Sequence, residues 1–241
     1  MSAGAAVIAS LIPIFAAFGQ LFWLSRQQLQ ETHKLNLVPK AEIIHYSLAI
    51  FIQLAAQALW LYSDSFIVNA RWPQDSGLYA ALVMYGRMIF FLAYVLGLWF
   101  FPRVAQLGDQ GFRLLKQALV ITLALLSLPL LASLFGAKVM LALLLGQEFL
   151  VAAAWLWPYS LMMSLYALAH ILLNHALAMG KVLVGYLSLA LALLQVIFLS
   201  HFAQFDQVIW GQFVLKGVLL VLLIGFLYLW PKATKAKRSF H

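Results

Sequence analysis

Between Lys116 and Lys138 the chain reads Gln117-Ala-Leu-Val-Ile-Thr-Leu-Ala-Leu-Leu-Ser-Leu-Pro-Leu-Leu-Ala-Ser-Leu-Phe-Gly-Ala137, twenty-one residues without a charge. As a helix such a run rises about 31 Å, the thickness of a bilayer's hydrocarbon core. A helix also satisfies its own backbone donors and acceptors there, where water cannot. Six more segments pass the same test. The expected spans lie at about residues 3–25, 47–70, 78–102, 116–137, 152–178, 182–204 and 207–230, which predicts an all-α, polytopic integral membrane protein with about seven transmembrane helices. Residues 1–25 hold the first helix and 26–46 a cytoplasmic linker; 47–230 form a six-helix lobe and 231–241 a basic tail. Val139 to Gly146 is apolar but too short to cross, and reads as an interfacial or re-entrant piece before the fifth span.

Composition agrees with this reading. The chain is 65% hydrophobic and 9% charged with a mean hydropathy of +0.97, outside the range of a soluble domain of 241 residues. Its net charge of +8 does not signal nucleic acid, because the bases are scattered between apolar runs and build no patch with interleaved aromatics. Orientation explains them. Arg26, Lys34 and Lys40, then Arg103, Arg113 and Lys116, then Lys181, then Lys232, Lys235, Lys237 and Arg238 fall on one side of the seven-span arrangement, against Arg71 and Lys138 on the other. The positive-inside rule makes the first set cytoplasmic, with the N-terminus outside and the C-terminus inside a cytoplasmic membrane. The first apolar run has no basic residues before it and no small-residue cleavage site, so it reads as a retained span. With no cysteine there is no disulfide framework or thiolate chemistry. Trp23, Trp99, Trp230 and Tyr79, near span ends, are expected in interfacial belts.

Polar residues inside the spans are the candidates for function. Gln53, Gln57, Trp60 and Asp64 recur at intervals of four, three and four, one face of the second span, which should look into the bundle. The glutamines read either as interhelical hydrogen-bonding groups or as substrate contacts. An ionised group in hydrocarbon costs about 2.5–3.5 kcal/mol, so Asp64 needs a partner or water. Arg87, in the third span, falls at similar depth across a short turn, and the two read as an ion pair. Arg87 would line a hydrated cavity and hold an anionic group with Asp64 as its resting counter-ion; the competing reading is a permanent structural pair. Lys216, nine positions into the seventh span, is a further base at hydrocarbon depth that could snorkel. His170 and Asn174 form an i, i+4 pair with a structural role, and two histidines at 170 and 175 without cysteines or an acidic cluster predict no metal site. No nucleophile–base pair, phosphate loop or paired carboxylates appear, so neither an enzyme nor a cofactor is expected.

Tyr62-Ser63-Asp64-Ser65-Phe66-Ile67, Ser76-Gly77-Leu78-Tyr79-Ala80-Ala81, Arg87, Phe101-Pro102-Arg103, Leu143-Leu144-Leu145-Gly146-Gln147-Glu148-Phe149 and the segment from Leu172 to Gly180 follow one another in an order that resembles the polysaccharide-biosynthesis and oligosaccharide flippases of the MOP exporter superfamily. The likeness covers roughly residues 44–200 and is to the C-terminal half of such a protein, preceded by one helix. It implies alternating access between two six-helix lobes around a cavity for the diphosphate head group of a lipid-linked oligosaccharide. One lobe is expected in this chain. The other would come from a second copy or another protein, unless the chain is a fragment. The resemblance implies membrane lipids and an anionic lipid-linked oligosaccharide as partners, with Arg87, Asp64, Gln57, Gln53 and Lys216 as substrate-binding candidates. Trp60, Tyr62, Tyr85 and Phe90 are sugar-stacking or core residues. Two other readings stand beside it: a multidrug exporter of the same superfamily, and a non-transporting scaffold or remnant.

Overall fold

The computed structural model describes residues 40–107 and 111–238, with side chains at 44–104 and 112–229. The chain divides into two compact units, residues 1–45 and 46–241, and the helices below belong to the second apart from the first turns of α1. The described residues form α1 (Lys40–Arg71), α2 (Ser76–Leu107), α3 (Gly111–Phe135), α4 (Ala137–Leu144), a 3₁₀ turn (Gln147–Ala152), α5 (Ala153–Ala178), α6 (Leu183–Leu199) and α7 (Phe205–Arg238), with no strand among them. Five segments, within α1, α2, α3, the 3₁₀ turn with α5, and α7, are long and apolar enough to cross a membrane.

These are the expected second, third, fourth, fifth and seventh spans. The first span, most of the linker and the outermost tail residues lie outside the described residues. α1 starts at Lys40, seven residues before the expected span, because Lys, Ala, Glu and Ile carry helix propensity through the polar stretch. α7 likewise continues through the basic tail to Arg238. The sixth span is shorter than expected. It is a helix of 17 residues, Leu183–Leu199, rather than one reaching residue 204. Polar groups end it: the Ser200 hydroxyl donates to the Ile197 carbonyl at 2.7 Å and His201 Nδ1 stands 2.7 Å from the same oxygen. Arg71, at the end of α1, reaches the Ser200 carbonyl, and Trp72 just after it donates from Nε1 to Ala203 O at 3.2 Å. The Val139–Gly146 piece is the eight-residue helix α4 and the turn after it.

The 3₁₀ turn and α5 form the axis of the bundle. The apolar window there is 72% buried, against 22% to 50% for the other four. A helix that is apolar on all sides belongs in the centre. α5 packs against α2, α7 and α3, and α2 also packs on α3. At Gly86 α2 lies close against α5: a Cβ there would stand 2.7 Å from Met163 Cγ and collide with the Tyr159 ring. Ser160 and Ser164 return their hydroxyls to the carbonyls of Leu156 and Ser160 at 2.6 and 2.8 Å, which lets polar residues sit in the buried axis. α1 is held by scattered polar contacts, with Tyr46 donating to Leu177 O at 2.9 Å, Trp60 Nε1 to Ser188 O at 3.3 Å and Gln195 Nε2 to Ser63 Oγ at 2.9 Å.

Candidate functional site

Asp64 is buried at 1% exposure, and its carboxylate is fully engaged by neutral donors. On Oδ2 converge the hydroxyls of Tyr79 at 2.8 Å and Tyr159 at 3.0 Å and the Gln212 amide at 3.2 Å. Oδ1 accepts the Ser65 backbone N–H at 2.8 Å and stands 3.4 Å from its hydroxyl. The donors come from α2, α5 and α7, so one carboxylate ties four helices together. Gln212 Nε2 also donates to Tyr79 Oη at 2.9 Å, while its Oε1 accepts from Lys216 Nζ at 2.7 Å. Lys216 is completely buried, with the sulfurs of Met162 and Met163 at 3.7 Å and the Tyr166 ring centroid at 5.5 Å.

The expected pairing of Asp64 with Arg87 is therefore replaced. Arg87 Nη2 donates to the Leu61 carbonyl at 3.2 Å and lies 3.4 Å from Ser65 Oγ, and its guanidinium carbon stands 4.3 Å above the Tyr62 ring. The reason is rotational. Ser65 lies about 100° round α1 from Asp64, so a base at the right height on α2 meets a different flank of that helix. Asp64 is in the core and not in a hydrated vestibule. Lys216 does not snorkel; it is the charge that answers Asp64, one amide away.

Arg87 instead occupies a groove of about 750 Å³ on the side of the bundle between α1 and α2. Its wall includes Tyr62, Ser65, Asn69, Ser76, Arg87 and Phe91, and among the described residues Arg87 is the one charged residue that lines it. Arg87 Nε is buried without a protein partner, while the Nη2 end makes the contacts above. A guanidinium laid on an aromatic face and half-buried in a polar-edged groove is disposed to take an anion such as a phosphate.

The remaining candidates separate. Gln53 is buried with both amide atoms lacking a protein partner, and Gln57 is half-buried; neither joins Asp64 or Arg87. Of the two readings of Gln53, the interhelical hydrogen bond is not formed. Asn174 donates to the His170 ring nitrogen at 2.9 Å, with Phe90 and Tyr94 packed on that ring at centroid distances of 5.1 and 5.5 Å. Of the aromatic candidates, Trp60 and Phe90 are core residues and Tyr85 donates to the Pro129 carbonyl at 2.7 Å, which leaves Tyr62 in the groove. Tyr79 belongs to the Asp64 site and not to an interfacial belt, whereas Trp99 is half-exposed. Trp23 and the side chain of Trp230 lie outside the described residues. Three members of the central network, Tyr79, Tyr159 and Gln212, were not singled out as site residues in the sequence. Gln212 and Lys216 are four apart on one helix, and that spacing is the signal that could have found the pair. No group of three or more metal-ligating side chains is present among the described residues. Compared with protein-family models, curated proteins and solved structures, the chain matches none.

Proposed function

We propose that this protein is one lobe of a membrane transporter that passes the anionic head group of a lipid-linked oligosaccharide across the cytoplasmic membrane, for polysaccharide synthesis or export. The observation that carries this reading is the groove between α1 and α2, with a single guanidinium held over Tyr62 and hydroxyl and amide groups on its edge. A groove open at the side of a helical bundle admits a head group whose lipid tail stays in the bilayer. In this reading alternating access needs a facing lobe from a second copy or another protein. The scattered bases orient the chain with its N-terminus outside and its C-terminus inside.

The groove holds a base and no acid, because Asp64 is turned into the core, and this favours an anion over the cationic substrates of a multidrug exporter. The experiment is transport of a fluorescent lipid-linked diphosphate sugar in proteoliposomes, comparing the wild type with Arg87→Ala and Arg87→Lys. Transport by the wild type, lost in Arg87→Ala and partly restored in Arg87→Lys, supports the reading. Equal transport by wild type and Arg87→Ala overturns the role given to the groove, and no transport above protein-free vesicles under any condition overturns the reading in favour of a scaffold.

A further inference from the structure

A second groove, of about 690 Å³, lies at the other end of α2, where it meets the start of α3. Trp99, Arg103, Leu114, Lys116, Gln117 and Ile121 are among its lining residues. Arg87 and Arg103 are sixteen positions apart on one helix, about 24 Å along its axis, so this groove is separate from the first. Its two bases differ in constraint. The Arg103 guanidinium carbon lies 3.5 Å from the centroid of the Trp99 ring, a stacking that fixes its orientation, while Lys116 is exposed on the facing helix. Among the described residues no acidic side chain lines the groove. Below the two bases the surface turns apolar toward the middle of the span: Val120 is 64% exposed and Ile121 42%, unusual for residues with nothing to cover them in water. Phe100 closes the floor as a buried residue.

This arrangement sorts one ligand into two parts. Two positive groups and the Gln117 amide stand at the level where a span ends, and an apolar strip runs from them into the hydrocarbon. A free anion uses only the first part and a neutral lipid only the second. We propose that the groove between Trp99–Arg103 and Lys116–Ile121 is a binding site for an acidic phospholipid, with its phosphate between Arg103 and Lys116 and an acyl chain along Val120 and Ile121. Basic side chains at the membrane surface attract anionic lipid with about fivefold per charge, and stacking on Trp99 keeps Arg103 from being lost to solvent. The charge asymmetry of the sequence reads this end as cytoplasmic, the leaflet in which such lipids carry the surface potential. The site is independent of the transport reading, since a scaffold would carry it equally.

The test uses the full-length protein in nanodiscs containing brominated phospholipid, with Trp99 as the reporter and the Trp99→Phe variant to subtract the other tryptophans. Brominated phosphatidylglycerol is expected to quench the Trp99 component at a several-fold lower mole fraction than brominated phosphatidylcholine. Arg103→Gln with Lys116→Gln is expected to abolish that preference, while Lys138→Gln, an exposed base elsewhere, leaves it intact. Adding glycerophosphate at millimolar concentration is expected to leave the quenching unchanged. Equal quenching by the two lipids, a preference that survives the double substitution, or displacement by glycerophosphate, which would mark a free-anion site, each overturns the proposal.

Discussion

Asp64 and Lys216, on the first and last described helices, are joined through the amide of Gln212, whose Nε2 donates to the carboxylate at 3.2 Å and whose Oε1 accepts from the ammonium at 2.7 Å. The opposite orientation of that amide would put its donor against the ammonium and its acceptor against the carboxylate. The pair is thus neutral as a unit while neither charge touches the other. Buried opposite charges of this kind cost desolvation individually and stabilise only when every remaining lone pair and proton is satisfied.

Removing one end of the network should be more harmful than removing both. Lys216→Met leaves a buried carboxylate with neutral donors only, and a loss of about 3 kcal/mol is expected. Combining it with Asp64→Asn should recover part of that loss, with a coupling of about 1–3 kcal/mol. Thermal unfolding of the four proteins in one detergent measures the cycle; strictly additive losses would rule out the coupling.

Tyr159 and Tyr79 should not be passive packing. Each donates a hydroxyl to a buried carboxylate, a bond worth about 1.5–3 kcal/mol. Tyr159→Phe keeps the ring and is expected to lower the unfolding temperature, whereas Tyr85→Phe, whose hydroxyl meets only a backbone carbonyl, is expected to lower it less. Similar shifts for the two would argue against the special standing of the Asp64 site.

Arg87 and Asp64 should behave oppositely. Asp64→Asn is expected to reduce folded yield from the membrane, because the carboxylate organises donors from three other helices. Arg87→Ala, at the half-buried edge of a groove, is expected to keep its yield and lose its function. Size-exclusion profiles alongside the vesicle assay separate the two effects.

Gln53 offers a substitution that should help. Its amide is buried without a protein partner, at a cost of about 1–3 kcal/mol, so Gln53→Met is expected to raise the unfolding temperature. A fall would show that the amide has a partner in the membrane-embedded protein.

Gly86 should tolerate nothing larger. Gly86→Val places atoms in the Tyr159 ring and against Met163, and overpacking of this type costs about 1–3 kcal/mol. The same variant separates α2 from α5 and so should weaken the Tyr159 contact to Asp64, seen as a smaller effect of Tyr159→Phe in that background.

The helical, membrane-length character of this chain was legible because it depends on composition over windows of about 20 residues, and hydrocarbon leaves the backbone few other options. Five of the expected spans are described helices at nearly the expected places, and the sixth, expected over 182–204, ends at Leu199, where Ser200 and His201 both take up the Ile197 carbonyl. That Asp64, Arg87 and Lys216 need partners was equally legible, from the expense of charge in an apolar run. Their partners were not. Height along a helix follows from counting residues, which is why Asp64 and Arg87 were matched. Rotation about the helix axis follows from the tertiary contacts α1 makes, and it turned Asp64 inward to Tyr79, Tyr159 and Gln212 while leaving Arg87 over Tyr62 in an open groove. The sequence by itself determined which residues had to find partners. Only the tertiary structure decided which partners those were, because a side chain reaches a few ångströms and the groups it meets come from distant parts of the chain.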